Sequence, residues 1–110
     1  MNKMAARDWY CEDVLSGRVK VEVIWEDPRV LAFYSPRPSS RVHALVVPKD
    51  HISSVLDPKA LDGALLESMV RGVQMVAAFT ELDKTGFFVR MNAAAPDVTP
   101  HMHWHVRSLD

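Results

Sequence analysis

His101-Met102-His103-Trp104-His105-Val106 alternates imidazole with apolar side chains. In an extended strand successive side chains project to opposite faces, so the three imidazoles share one face and Met102, Trp104 and Val106 the other. The apolar face can anchor the strand in a core, and the histidine face then lines something. Neighbouring rings along such a strand stand ~6.5–7 Å apart. Three of the 5 histidines of the chain fall in this one run, a clustering that random scatter seldom produces.

Working outward, residues 87–91 form the preceding strand and 92–100 the loop between the two. Further back, Leu61, Leu65, Met69, Val73, Val76 and Phe79 recur at helical spacing, which predicts one long amphipathic helix. Asp57 as N-cap and Pro58 at the first helical position start it, and it ends before Gly86. Residues 42–48 are apolar at almost every position, as in a strand buried on both faces. His51 is expected to cap the turn that follows. Residues 35–41 hold Pro36, Pro38, Ser39 and Ser40; the prolines remove backbone donors and bar a ladder, so this is an ordered loop. Residues 30–34 read as a strand, joined through the Asp27-Pro28-Arg29 turn to a strand over 19–25. There Val19, Val21, Val23 and Trp25 face opposite to Lys20 and Glu22. A short opening helix spans 8–16, with Asp8 as N-cap and Gly17 where a helix end takes positive φ. Five antiparallel strands, one long helix and a short N-terminal helix make an α+β fold.

The 110 residues suit one domain, 1–110, and composition (48% hydrophobic, 25% charged) is that of a globular protein. A formal net charge of −1 supplies no field to hold a nucleic-acid backbone, so nucleic-acid binding is not expected. Cys11 alone excludes an internal disulfide and any site built on paired cysteines. No run approaches the roughly 20 apolar residues that span a bilayer, and residues 1–10 lack a leader pattern. The expectation is a cytoplasmic protein without membrane contact.

Three chemistries suit the histidine run. It can be a solvated or purely structural face. It can bind zinc, copper or nickel, although one straight strand does not easily bring three rings to one ion and no carboxylate lies within the run. It can also supply a nucleophile: an unprotonated ring nitrogen attacks phosphorus when the other nitrogen is fixed by a hydrogen bond and neighbouring rings donate to the phosphoryl oxygens.

The run resembles the histidine triad (HIT) signature, His-x-His-x-His-x-x with apolar x, and the resemblance extends over residues 11–107. Trp25-Glu26-Asp27, Val30-Leu31-Ala32-Phe33 and the block from His43 through Pro48-Lys49-Asp50-His51-Ile52 look like the family's upstream blocks in order. Asn92 stands where the Hint-like branch has asparagine. The resemblance implies a nucleotide hydrolase or transferase acting on purine nucleoside phosphoramidates or related AMP conjugates. His103 would attack the α-phosphorus, forming a nucleotidyl-histidine that water releases. His101 would orient it, His105 would contact the phosphoryl oxygens and protonate the leaving group, and His43 would be the additional active-site histidine. Phe33, Tyr34 and Val14 would form the purine slot. No metal or cofactor is needed in this scheme, and a homodimer joined through the long helix and fourth strand is implied.

The sequence also departs from that branch. Ser35 replaces an acidic residue that holds the ribose hydroxyls. The loop of Ala93-Ala94-Ala95-Pro96-Asp97-Val98-Thr99-Pro100 lacks the usual glycines; Asp97 there would repel a phosphate, and Thr99 can stand in as a hydroxyl donor. Arg107 occupies the last apolar position of the signature. The Cys-x-x-Cys pair that holds structural zinc in many bacterial relatives is not formed, Cys11 aligning with an apolar position. The sequence ends at Asp110, before that branch's longer C-terminal tail. Two other readings follow: a nucleotide-binding module with little turnover, and a zinc-binding histidine-cluster protein.

Overall fold

The computed structural model describes residues 8–95 and 98–110. Residues 1–7, read above as free of a leader pattern, and Asp97 with its expected repulsion of phosphate lie outside the described residues. Five strands, β1 (Val23–Glu26), β2 (Val30–Tyr34), β3 (His43–Pro48), β4 (Phe87–Met91) and β5 (Trp104–Ser108), form one antiparallel sheet in the order β1-β2-β3-β5-β4. Helix α1 (Gly63–Thr80) packs across β1, β2 and β3. The α+β class and the five-stranded antiparallel sheet agree with the sequence.

Both faces of the sheet are covered, and period-2 alternation decides which side chain goes where. Val30, Ala32, Ala44, Val46 and Val106 turn toward α1 and pack with Leu65, Met69 and Val76. Leu31, Phe33, Leu45 and Val47 turn the other way and pack with Tyr10 and Val14 of the opening turn. This double cover explains why every residue of β3 is buried. At Gly72 α1 comes so close that an added Cβ would lie 2.8 Å from Val46 Cγ1. The β1–β2 hairpin closes as predicted: Asp27 Oδ1 accepts from the Arg29 and Val30 N–H groups at 2.8 and 2.7 Å. Its other oxygen accepts from Ser68 Oγ at 2.7 Å, tying the turn to α1.

Four boundaries differ from expectation, each for a local reason. The single long helix is broken into pieces. Asp57 does cap, accepting from Lys59 N–H, but only a 3₁₀ turn, Pro58–Leu61, follows. Asp62 then leaves the helical region and caps α1 afresh through Ala64 and Leu65 N–H, the competition that Asp side chains offer a continuing helix. At the far end Glu81 turns left-handed (φ 63°), and α2 (Leu82–Thr85) follows. Leu61 and Phe79, placed on the buried stripe by spacing, are 82% and 66% exposed.

The first strand starts at Val23 rather than residue 19, because Val19 N–H bonds to the Asp13 carbonyl of the opening turn. A register shift between Val23 and Trp25 sends Ile24 and Trp25 both to the α1 side and leaves Val23 exposed, so the expected one-face row is broken. The last strand starts at Trp104. Residues 101–103 precede the ladder, and Met102 N–H bonds instead to the Ile52 carbonyl at 2.6 Å. The opening helix is a short π-helical turn, Tyr10–Val14. Asp8 Oδ1 caps its start from Cys11 N–H (3.0 Å), and Gly17 beyond it has φ 82°.

Candidate active site

His43 and His105 meet because their strands pair with Leu45 opposite His105 and His43 opposite Arg107, which makes the two rings diagonal neighbours on one face. Their centroids are 5.1 Å apart, as are those of His103 and His105. The latter spacing is tighter than a straight strand gives, since the chain enters the ladder only at Trp104. Tyr10 lies over His103 with centroids 5.0 Å apart and over His101 at 5.5 Å.

The backbone settles where the ring protons sit. The His101 carbonyl can only accept, so His103 Nδ1–H donates to it at 2.6 Å and leaves Nε2 with its lone pair. Ser39 N–H donates to His43 Nδ1 at 3.1 Å. The neutral His43 therefore carries its proton on Nε2, which donates to His105 Nδ1 at 2.9 Å. His105 in turn carries its proton on Nε2. A relay of fixed tautomers thus sets an unprotonated nitrogen on His103 beside an N–H donor on His105.

Burial is the main cause that lowers all three rings below the ordinary histidine range. Burial and then Arg107 act on His43. His103 is lowered by burial against the opposing pull of its bond to the His101 carbonyl. His105 falls to about 4 through burial, then the neighbouring rings of His103 and His43, then Arg107 and Arg90. At neutral pH all three are uncharged, which suits a nucleophile. It also means that His105 meets a substrate as a neutral N–H donor.

A cavity of about 530 Å³, within the range of small-molecule sites, opens beside these rings. His43, His105, Tyr10 and Leu45 line it, with Trp9, Thr99 and the Ser35-Pro36-Arg37 segment. His103 is 6% exposed and lies against two of these lining residues, Tyr10 and His105. Of the residues expected to bind substrate, Ser35 and Thr99 are in the lining. Phe33 is not: it is fully buried in the core beneath, packed on Tyr10 and Val14. Val14 shares that burial, half-buried Tyr34 lies outside the lining, and Asn92 is exposed away from it. Sequence reasoning missed Trp9, Tyr10, Leu45 and Arg37 as lining residues. The opening turn carries the first two, and no local pattern says which face of the sheet it covers. A larger hollow of about 760 Å³ beside Arg29, His51 and Lys59 shares no lining residue with the first and presents a single exposed imidazole.

His101, although it continues the alternation, joins a different group. Its Nε2–H donates to the Pro48 carbonyl at 2.8 Å, which turns Nδ1 toward Asp8 Oδ2 (3.0 Å) and Cys11 Sγ (3.3 Å). His51 Nδ1 reaches the same Asp8 oxygen at 2.5 Å and lies 3.9 Å from Cys11 Sγ. His51 is therefore tied to the opening turn and is not a simple turn cap, and Cys11 is not an apolar filler. One atom from each of Asp8, Cys11, His51 and His101 lies within 4.8 Å of the others. An oxygen, a sulfur and two imidazole nitrogens at such spacing suit a zinc-type ion, and the Pro48 carbonyl provides the outer hydrogen bond that orients a histidine ligand. Bound there, an ion would clamp the opening turn to the histidine segment and draw the proton from Cys11. Without an ion, burial and the nearby Asp8 carboxylate hold that thiol protonated, with a pKa pushed up to about 11. Burial works to raise Asp8, but hydrogen bonds from Cys11 N–H, His101 and the thiol outweigh it and keep the carboxyl below its usual range.

Arg107, at the last position of the signature, lies on the histidine side. Its Nε donates to Ser40 Oγ (3.2 Å) and Nη2 to the Ser39 carbonyl (3.4 Å), and its guanidinium stacks on Phe88 at 5.1 Å. It thereby steadies the loop whose Ser39 N–H sets the His43 tautomer. Ala94, in the glycine-free loop before the histidines, takes φ 65°, a conformation that glycine adopts without strain.

Comparison with known proteins agrees with this geometry. The HIT domain model matches residues 16–110. An uncharacterized HIT-like protein of Helicobacter pylori is 29% identical over 101 residues, covering 90% of this chain and 94% of its own. A histidine triad protein from Clostridium difficile superimposes with a TM-score of 0.80 at 29% identity, covering 100% and 95% of the two chains. A HIT family hydrolase from Legionella pneumophila does so with 0.81 at 26%, covering 92% and 91%. With the histidine run, the sheet that carries it and the family match in agreement, this chain belongs to the HIT family.

Proposed function

We propose that the protein is a nucleotide hydrolase or transferase of the Hint-like branch that cleaves purine nucleoside phosphoramidates or related AMP conjugates. The observation that carries this reading is the tautomer relay, which leaves His103 Nε2 bare beside His105 Nε2–H. In the first step His103 Nε2 forms a bond to the α-phosphorus while the bond from phosphorus to the leaving amine breaks and the amine takes up a proton. His105 stays neutral, its Nδ1 accepting from His43 and its Nε2–H serving a phosphoryl oxygen, so the proton on the departing amine comes from solvent in the open cavity. In the second step water displaces the imidazole, and nucleoside monophosphate leaves. Fixed N–H donors serve the phosphoryl oxygens throughout. Thr99 adds a hydroxyl to the lining, and Trp9, Tyr10 and Leu45 supply the apolar wall for the base, in place of Phe33. The similar protein of Legionella pneumophila, described as a HIT family hydrolase, supports hydrolysis as the reaction type.

A homodimer belongs to the same proposal. β4 is an edge strand with Val89 and Met91 exposed, and Val70 is exposed on α1, so pairing of two copies would cover an open edge. Light scattering at micromolar concentration should report twice the chain mass. No helix among the described residues is long and apolar enough to cross a membrane.

Incubation with adenosine 5′-phosphoramidate is the test of the reaction. AMP release that disappears in His103→Asn is the expected result. Tight AMP binding without release would instead identify the binding module, the reading that Ser35 and the glycine-free loop favour.

A further inference from the structure

The cavity is cationic where a ribose-binding site would offer a carboxylate. Among the described residues its lining holds no Asp or Glu, and the only permanently charged side chain in it is Arg37. Arg37 is exposed, makes no ion pair with any described residue, and is set between Pro36 and Pro38. Proline fixes its own φ and restricts the residue before it, so the backbone that projects Arg37 is stiff before any ligand arrives. Its N–H is held by Ser35 Oγ at 3.2 Å, and Ser35 N–H bonds to the His43 carbonyl at 2.9 Å. Three residues on, Ser40 is gripped by Arg107. The segment is thus anchored at both ends to the strands that carry the histidines.

A serine hydroxyl is a weak acceptor for a sugar diol, whereas a guanidinium offers paired donors matched to a phosphate or carboxylate. We infer that Arg37 recognises a second anionic group on the substrate, a phosphate additional to the one that His103 attacks. This deepens the nucleotide reading above and rests on it. A second phosphate can sit on the ribose or further along the phosphate chain; the chemistry at Arg37 is the same.

The experiment is equilibrium binding of AMP, ADP and 3′-phosphoadenosine 5′-phosphate to the wild-type protein, Arg37→Ala and Arg37→Lys. At least one of the two doubly phosphorylated ligands should bind wild type about tenfold or more tighter than AMP, the gain expected of a charge-assisted pair. ADP as the favoured ligand places the second phosphate in the chain; 3′-phosphoadenosine 5′-phosphate places it on the ribose. Arg37→Ala should bring the favoured ligand to within about twofold of AMP, and Arg37→Lys should recover part of the preference because charge remains while the paired donors are lost. Equal affinity of wild type for all three ligands, or a preference that survives Arg37→Ala, overturns the inference. Turnover of adenosine 5′-phosphoramidate by wild type separates the two levels: release of AMP without any ligand preference sinks the role of Arg37 alone. Absence of both release and nucleotide binding sinks the nucleotide reading and the inference together.

Discussion

His101 and His105 lie four residues apart on one face of one segment, and their rings are held by opposite kinds of group. The His101 ring donates Nε2–H to a backbone carbonyl and turns its other nitrogen to a carboxylate and a thiol. The His105 ring accepts at Nδ1 from His43, whose own Nδ1 is fixed by a backbone amide, and lines an open cavity while the charges of Arg107 and Arg90 act on it. One neighbourhood gathers ligands with lone pairs or negative charge; the other keeps imidazoles neutral. His51 falls with the first group and His103 with the second. Residue type and spacing place all three triad rings on one face, but the hydrogen-bond partner of the second nitrogen decides what each ring can do.

The sharpest way to break this division is to treat both groups alike. His103→Asn should cost at least about a thousandfold in AMP release, the scale on which a lost nucleophile registers. His51→Asn should cost less than about tenfold, because that ring contacts the opening turn and not the cavity. Measured as kcat/KM on adenosine 5′-phosphoramidate, equal losses in the two variants would show that the two groups work as one.

The distinction was only partly visible in the sequence. Alternation in residues 101–106 correctly put Met102 and Val106 in the core and the imidazoles opposite, because strand geometry is local. The Asp27 turn and the position of β2 were legible for the same reason. The break at Asp62 was not, since a helical stripe of apolar residues continues through it and only the side chain's capping bonds interrupt the backbone. Nor was the fate of Asp8 and Cys11. Their i, i+3 spacing hints at a shared helix face, but meeting His51 and His101 depends on where the opening turn docks, a contact over 40 and 90 residues of sequence. Phe33 is core rather than slot, and an aromatic on a buried strand reads the same whether it faces a ligand or, as here, Tyr10.

The second test sharpens the ligand-rich side. Protein treated with EDTA and titrated with zinc should take up about one ion per chain by elemental analysis. At a free zinc concentration 100 times the dissociation constant, the native state should gain about 2.7 kcal/mol, read as a rise in melting temperature. Asp8→Asn or Cys11→Ser should weaken zinc at least about tenfold. A rise in melting temperature that is the same in wild type and in Cys11→Ser would place the ion elsewhere and leave the Asp8–Cys11–His51–His101 group a hydrogen-bond cluster only.

The smallest effect probes the neutral side through Arg107. Burial lowers His43 and His105 most, and Arg107 lowers both further, so Arg107→Gln should raise both. Turnover needs His43 bare at Nδ1 and His105 bare at Nδ1. It should therefore hold from neutral pH to below the ordinary histidine value of 6.5 and fall as these rings are protonated. In Arg107→Gln this acid limb should move to higher pH. Stability should move the opposite way. A ring whose pKa is lower folded than unfolded binds fewer protons in the native state, so stability declines as pH falls from about 6.5 toward about 4. With the rings less depressed, Arg107→Gln should lose less melting temperature over that window than wild type does. Activity failing sooner while stability fails later is a signature that a merely loosened loop would not give, since loosening lowers stability at every pH. If both limbs shift together, Arg107 acts by bracing Ser39 and Ser40 rather than through its charge.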